Sequence, residues 1–354
     1  MAALLGSYAF AASKTPSKRT RPLPQVGEFI RIVDPLTENI VVRLTDPRFQ
    51  SHLPAPVNRF ISSQERFLLF SSTKAGRLAP FLADLRSGRS RQLAAPENLV
   101  SQSLCLDERE RSLYLIDGTT LKEIALSNLR EHTVAQDVSA FALWGHPPQI
   151  YVVRRDCLVR LSDGKTLAEG VNLPQIPVRP GGGGCLFGRG QVSDEQEFWY
   201  VPFSTGRQEA PRMLAKGKIW NPFWNPNGKS LLFLRAVDVN GVSTTEIHEA
   251  VPDATPDANT DQRVSRTSQF AAFAPNGDGS VFVGASRSKA QPAIDLLLRA
   301  TPRELTLCEH RAARAQSASP VFSPDSRRVY FQSDREGNPA VYAVNVELLV
   351  EPTL

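Results

Sequence analysis

This chain of 354 residues has few cysteines and histidines and no long apolar run. No run of residues reaches the length of about eighteen apolar side chains that a membrane-spanning helix needs, so we expect no integral membrane segment. The chain has few cysteines, and they are far apart in the sequence, without a Cys-x-x-Cys pair or a nearby histidine at zinc-finger spacing. They are Cys105, Cys157, Cys185 and Cys308. This pattern excludes a metal-thiolate site and predicts four small, buried apolar side chains.

Acidic residues are absent from the first 27 positions, where four basic residues account for most of the formal net charge of +5. These residues are Lys14, Lys18, Arg19 and Arg21. The rest of the chain mixes arginine and glutamate and is nearly neutral, as on an ordinary solvated surface. A nucleic-acid-binding protein would carry a basic stripe on its folded body, so we predict no nucleic-acid partner.

The N-terminus resembles a secretory signal without its usual basic start. Met1–Ala12 is apolar and contains the small-x-small sequence Ala9-Phe10-Ala11, which is typical of a cleavage site. We interpret residues 1–27 as a signal-like, flexible leader and residues 28–354 as one domain. Export to the periplasm or secretion follows from this interpretation. An unstructured leader on a cytoplasmic protein, or a start codon other than Met1, remains open.

Long amphipathic helices are also missing, and a repeated strand-and-turn pattern takes their place. In Ser319–Val346, short apolar strands alternate with turns at Ser323-Pro324-Asp325 and Glu336-Gly337-Asn338-Pro339, which predicts a β-meander. Similar turns follow Trp224 and Phe273, and the prolines of the three turns, Pro226, Pro275 and Pro324, are 49 residues apart. A fixed period of this length is typical of propellers and repeat arrays.

Seven such units can be counted, with starts near residues 60, 104, 142, 185, 223, 272 and 321. A single meander leaves two faces and its edges exposed, so the units must pack around an axis to bury them. The last unit has only three strands, and Phe29–Leu44 contains two unassigned strands that could complete it. We therefore predict an all-β, seven-bladed β-propeller closed by its N-terminal strands. The run Gly181–Gly184 precedes a strand, which favours a flexible loop between units over a phosphate-binding loop.

Two of the repeated strand-and-turn motifs, called blade phrases below, resemble those of known families. Phe322-Ser323-Pro324-Asp325 and Trp224-Asn225-Pro226-Asn227-Gly228 resemble the repeats of TolB-type propellers and of oligogalacturonate lyases, and the opening through Ser51-His52 is similar to the lyase group. Such a resemblance implies the propeller fold. For the lyases it also implies β-elimination with a divalent metal such as manganese, held mainly by histidines that precede the blade phrase.

The corresponding positions of this chain hold other residues, namely Asn221-Pro222, Gln269-Phe270 and Ser317–Pro320. Only five histidines occur: His52, His132, His146, His248 and His310. We expect His132, His248 and His310 near strand ends or turns and His146 in a turn, which leaves His52 as the single candidate catalytic residue. No metal site is predicted, because one histidine does not make one.

The functional prediction is a non-catalytic, exported, monomeric propeller that binds a partner protein or an acidic saccharide at the channel mouth, where loops preceding the innermost strands converge. The alternative is a divergent oligogalacturonate lyase with a manganese-type cofactor. A Gly-x-Ser-x-Gly elbow is absent, which excludes peptidase propellers with an α/β-hydrolase domain. Arg59 could pair with a carboxylate and Trp220 could stack on a sugar ring. The candidate ligand-binding residues are Asn58, Arg59, Trp220, Asn221 and Gln269.

Overall fold

The computed structural model describes residues 27–190, 195–203, 210–253 and 261–346. The predicted leader, apart from Gly27, lies outside these residues. No described helix is long and apolar enough to cross a membrane.

The described residues form 28 strands and two short 3₁₀ segments, Ser101–Ser103 and Ala315–Ala318. In chain order the strands are β1 (Ile30–Val33), β2 (Ile40–Arg43), β3 (Ser51–His52), β4 (Phe67–Ser72), β5 (Ala79–Asp84), β6 (Arg89–Gln92), β7 (Cys105–Leu106), β8 (Ser112–Asp117), β9 (Thr120–Ala125), β10 (Glu131–Ala135), β11 (Ala140–Trp144), β12 (Gln149–Arg154), β13 (Cys157–Arg160), β14 (Thr166–Glu169), β15 (Gly184–Gly190), β16 (Gln196–Pro202), β17 (Arg212–Gly217), β18 (Ile219–Trp224), β19 (Leu231–Val239), β20 (Val242–Ala250), β21 (Asp261–Arg266), β22 (Phe270–Pro275), β23 (Val281–Ser286), β24 (Ala293–Leu298), β25 (Arg303–Glu309), β26 (Val321–Phe322), β27 (Arg328–Ser333) and β28 (Ala340–Asn345).

These strands make seven antiparallel sheets, the blades of a closed ring. Blade 1 contains β3–β6, blade 2 β7–β10, blade 3 β11–β14, blade 4 β15–β17, blade 5 β18–β21, blade 6 β22–β25, and blade 7 β26–β28 with β2 and β1. The prediction of an all-β, seven-bladed propeller is confirmed.

Closure of the ring depends on the N-terminal strands. Strand β2 pairs with β28, with Val41 opposite Val344, and β1 pairs with β2. Beyond the ladder, the Leu44 amide donates to the Val341 carbonyl at 2.8 Å, and the Val341 amide donates to the Thr45 hydroxyl at 2.9 Å. The predicted segment Phe29–Leu44 therefore completes the last blade, which has five strands in place of the expected four.

The turn between the first and second strands has the same hydrogen bonds in most blades. The carbonyl of the residue at its start accepts a hydrogen bond from the amide three positions later, and the amide of the same residue donates to the carbonyl five positions later. The third residue after this start has a positive φ in each case. The starting residues are Ser62, Asp107, Arg179, Asn225, Asn276 and Ser323. Short polar side chains suit this position because they also accept bonds from nearby amides, as Asp107 does from Ser112 at 2.9 Å.

These bonds correct the proposed repeat register. Asn225, Asn276 and Ser323 are equivalent, so the repeats are 51 and 47 residues apart, and the even spacing of the prolines is a coincidence. Pro275 precedes its turn, whereas Pro226 and Pro324 lie inside theirs. Blade 6 accommodates the shift because Gly279 supplies the positive φ, which glycine adopts without steric cost.

Blade 4 also differs from the prediction. Its innermost edge is the segment Pro177–Arg179, since the Leu186 amide donates to the Pro177 carbonyl at 2.9 Å and Val178 bridges to Cys185. The run Gly181–Gly184 is therefore the turn between the first two strands of this blade, and the prediction of a loop between units is wrong. The blade begins before residue 185.

Neighbouring blades pack through buried side chains from facing sheets. Aromatic rings meet at several of these interfaces, with the Tyr114 and Phe141 centroids 6.5 Å apart between blades 2 and 3, and the Phe223 and Phe273 centroids 5.6 Å apart between blades 5 and 6. Pairs of this kind stabilise a fold by about 0.5–1.5 kcal/mol beyond the area they bury. The core is thus a ring of contacts between sheets around a central channel.

Candidate functional site

The first strand of each blade lines the channel. β18 contacts β22, and β22 contacts β26, so the first strands of successive blades lie side by side, while the outermost strands carry mostly exposed polar residues. All first strands run in the same direction. The channel therefore opens on two different faces: the start face, where the first strands begin, and the turn face, where the turns to the second strands lie.

The structure places the predicted site residues on both faces. His52 is the second residue of β3, the first strand of blade 1, and pairs with Ser71 near the end of β4, on the start face. Arg59 lies on the turn face, three residues before the turn that starts at Ser62. Its carbonyl accepts from the Leu106 amide at 2.7 Å, directly before the turn of blade 2 that starts at Asp107. The sequence prediction placed all six candidates at one channel mouth, whereas the structure separates them onto two faces.

A cavity of about 380 Å³ opens on the turn face between blades 1, 2, 3 and 4. It collects residues from the end of each first strand. Its lining is Val57, Asn58, Arg59, Cys105, Leu106, Glu108, Phe141, Ala142, Leu143, Trp144, Gly145, Ile176, Val178, Arg179, Pro180 and Gly181. Two of the predicted residues, Asn58 and Arg59, are thus at a cavity.

Arg59 is the cation in this cavity that has no acidic partner among the described residues. Its guanidinium donates through Nη1 to the Asp107 carbonyl at 3.3 Å, and its side chain is exposed. Asn58 holds the segment in place, since its Nδ2 donates to the carbonyls of Gln102 at 3.1 Å and Leu104 at 3.2 Å. Asn58 therefore positions Arg59, and most of the donors of Arg59 remain free for a ligand.

Arg179 lines the same cavity but is held by its neighbours. Its two terminal nitrogens bind the Asp253 carboxylate at 3.0 and 2.5 Å, and its Nε donates to the Gly228 carbonyl at 2.6 Å. Hydrogen bonding to Arg179 lowers the pKa of Asp253, and the same bond raises the pKa of Arg179. This arginine fastens blade 4 to blade 5 and forms a fixed wall of the cavity.

Trp144, at the end of β11, is the aromatic wall. The side chain is half-buried, and its indole lies against the backbone of Gly182, where an added Cβ would be 1.7 Å from Trp144 Cε2. No described residue accepts a hydrogen bond from its Nε1. Trp144 thus lines the same cavity as Arg59 and keeps its indole N–H available to a ligand.

Trp220, in contrast, already has partners in the neighbouring blade. Its Nε1 donates to the Ala271 carbonyl at 2.9 Å, and the Arg287 guanidinium lies 5.4 Å from its ring centroid. Asn221 is similarly engaged, with its Oδ1 accepting from the Phe273 amide at 2.7 Å. Both residues join blade 5 to blade 6. Gln269 is exposed on the start face, away from the cavity.

His52 is half-buried, and burial lowers the pKa of its imidazole, so the side chain is neutral at pH 7. No group of three or more His, Cys, Asp or Glu side chains in the described part of the chain is arranged to hold a metal ion. The described residues around His52 therefore do not fit a manganese site.

The other histidines have structural surroundings. His310 follows β25 and is buried, with its Nδ1 accepting from the Ala312 amide at 2.9 Å and its Nε2 2.9 Å from the Ser286 carbonyl. His248 lies two residues before the end of β20, with Asp261 2.7 Å from its Nδ1. His132 is exposed on the outermost strand of blade 2, and His146 is in the turn after β11.

The cysteines agree in part with the prediction. Cys185 and Cys308 are buried, and burial raises the pKa of both thiols. Cys105 lines the cavity, where burial raises its pKa to about 11. The four thiols are free, and the neutral form of Cys105 makes it part of the wall rather than a nucleophile.

Solved structures with the same architecture include two oligogalacturonate lyases, one in complex with manganese and one from Vibrio parahaemolyticus. They have TM-scores of 0.69 and 0.68 and 17% and 18% sequence identity, and each comparison covers 90% of this chain and 96% of the lyase. The likeness shows a shared propeller fold. A Mycobacterium tuberculosis puromycin-hydrolyzing peptidase has a TM-score of 0.62 at 14% identity, covering 85% of this chain and 52% of the peptidase. No family model and no curated protein matches this chain. One fold hosts many activities, so the function must be argued from the site.

Sequence reasoning missed Trp144, Glu108 and Arg179 as cavity residues. Each stands at or just after the end of a first strand, next to a turn, and this position is the signal that could have found them. The prediction looked instead at residues that precede the first strands.

Proposed function

We propose that this propeller is a binding protein that takes an acidic saccharide, such as a uronic-acid oligomer, in the turn-face cavity. The observation that carries the proposal is the position of Arg59, an exposed cation whose charge no described acidic side chain neutralises. Guanidinium groups suit carboxylates because their donors match the two carboxylate oxygens. A uronic acid supplies one carboxylate on each sugar ring.

The second support is Trp144, which lines the same cavity. The face of an indole binds the C–H face of a sugar ring by burying apolar surface. A cavity of about 380 Å³ is within the usual range for a small-molecule site, roughly 300–1,000 Å³. The cation and the indole together match a ring that has one charged substituent and one apolar face.

Glu108 opposes this ligand and must be included. It lies on the same cavity, is exposed, and has no described basic partner. An acid on the rim weakens the binding of an anion without preventing it, because water screens exposed charges. It also gives the proposal a sign that can be tested.

The alternative from the sequence, metal-dependent β-elimination, requires a metal and a base at one place. His52 is the residue predicted for that role, and the described residues assemble no metal-ligating group around it. The size of the cavity, about 380 Å³, favours a small molecule over a partner protein as the ligand. We therefore propose binding of a saccharide, with export of the protein as part of the same proposal.

Isothermal titration of purified protein with trigalacturonate tests the proposal. Arg59→Gln removes the cation, and Arg91→Gln is the matched control, because Arg91 is an exposed arginine on the outermost strand of the same blade. A hydrogen bond to a charged group contributes about 1.5–3 kcal/mol, so Arg59→Gln should weaken binding by roughly ten- to a hundredfold. Equal affinities for the two variants, or no binding by the wild type, would contradict the proposal.

A further inference from the structure

A second cavity, of about 550 Å³, adjoins the first on the same face. It lies on blade 3, between the turn that follows β11 and the turn that follows β13. Trp144 and Gly145 line both cavities. The two depressions are thus neighbours across a single indole, one at the channel and one over the blade.

The second cavity has a different chemistry. Its wall includes Pro147, Ile150 and Leu161, while His146, Gln149 and Ser162 supply polar groups. No arginine, lysine, aspartate or glutamate is among its lining residues. The charged first cavity therefore continues into an apolar one.

We propose that the two cavities form one extended groove for a saccharide chain, in which the first cavity holds a carboxylate-bearing ring and the second takes the apolar face of a following ring. The inference rests on the proposed function. Trp144 lies between the two subsites and lines both of them. Prolines and aliphatic side chains bury the C–H face of a pyranose, and Gln149 and Ser162 can bond its hydroxyls.

The dimensions set the length of ligand. Strands in a sheet are about 4.8 Å apart, so β13 lies roughly 10 Å outward from β11. A single sugar acid that is held by Arg59 does not reach across that distance, whereas an oligomer does. The structure therefore assigns this site to a chain and predicts that affinity depends on its length.

Ser162 offers a variant that blocks only the second cavity. It is exposed in the turn between β13 and β14, so a tryptophan there fills the cavity without entering the core. Ser127 is the matched control. It occupies the equivalent place in blade 2, because the amides of the preceding residues, Leu126 and Leu161, donate to carbonyls at the start of the second strand: Arg111, directly before β8, and Ile150 in β12. Ser127 lines neither cavity.

Titration with galacturonate and with tetragalacturonate separates the two proposals. We expect the wild type and Ser127→Trp to bind the tetramer on the order of tenfold more tightly than the monomer, and Ser162→Trp to lose that difference while still binding the monomer. If Ser162→Trp keeps the preference for the tetramer, or if the wild type shows none, the extended groove is wrong although Arg59-dependent binding stands. If no ligand shows Arg59-dependent binding, the proposed function itself is wrong.

Discussion

Asp295 provides the sharpest stability prediction, because a carboxyl group is buried where little compensates its charge. It lies on β24 and is 6% exposed, and its described hydrogen-bond partner is the Thr306 hydroxyl, which donates at 2.8 Å. Burial raises the pKa of Asp295 to about 6 from a usual value of 3.8, with Thr306 opposing and Glu304 reinforcing the shift. The folded protein thus holds this proton more tightly than the unfolded chain does.

The sign of the pH dependence follows from that difference. Well below pH 3.8 both states are protonated, and the carboxyl costs nothing. As the pH rises from about 4 to 6, the unfolded chain loses its proton first, so the folded state is destabilised by up to about 3 kcal/mol. Asparagine keeps the shape and the acceptor for Thr306 without the charge. Asp295→Asn should therefore be more stable than the wild type at pH 7, and the gain should disappear near pH 4.

Urea unfolding at pH 4, 5, 6 and 7 measures the effect. Asp278→Asn is the control with the opposite sign, because hydrogen bonds from Ser280 lower the pKa of Asp278, and it should be less stable than the wild type at pH 7. A stability difference for Asp295→Asn that is constant over this range, or a loss of stability at pH 7, would refute the reasoning.

Three further predictions concern the ring and its faces. Gly182→Ala should lower stability by about 2–4 kcal/mol, because an alanine there has a strained φ and collides with Trp144; Gly181→Ala, whose Cβ meets nothing within 4 Å, should lose only the backbone part in the same thermal melt. Glu65→Ala should cost about 3–5 kcal/mol, since Glu65 holds the buried Arg328 at 3.0 Å and so joins blade 1 to blade 7. Glu110→Ala, in the equivalent turn, should cost about 1 kcal/mol in urea unfolding, and equal losses would show that closure does not depend on Glu65. His52→Ala should bind trigalacturonate with wild-type affinity by titration, and neither protein should generate the absorbance of an unsaturated product with manganese; weaker binding by the variant, or wild-type absorbance that the variant lacks, would place the site on the start face.

Most of the architecture follows from local sequence signals. Polar turn residues between short apolar runs predict meanders, and a meander that cannot bury its own faces predicts closure of a ring. The three-strand unit at the C-terminus left a gap that only Phe29–Leu44 could fill, and β2 pairs with β28 there. These inferences needed only turn chemistry and the requirement to bury apolar surface.

The register of the repeats could not be predicted from the prolines. Pro275 has the same spacing as Pro226 and Pro324 but lies before its turn, because Gly279 supplies the positive φ that Gly228 supplies in blade 5. Gly277 and Gly279 both follow Pro275 and permit either register, and only the hydrogen bonds decide between them.

The site was harder to predict because its residues depend on contacts between blades. Trp220 and Trp144 are both tryptophans near a first strand, but the Ala271 carbonyl and Arg287 occupy one of them, while Gly182 leaves room for the other. These partners are 38 to 67 residues away in the sequence, so no local pattern distinguishes an engaged indole from an open one.

The most direct test compares two variants that each neutralise one of the opposite charges at the turn-face cavity. Arg59 and Glu108 line the same cavity with opposite charges, so neutralising each should change the affinity for an anion in opposite directions. Titration of trigalacturonate at low salt should show tighter binding by Glu108→Gln and weaker binding by Arg59→Gln than by the wild type. Unchanged affinity in both variants, or weaker binding by Glu108→Gln, would contradict the assignment of this cavity to an acidic saccharide.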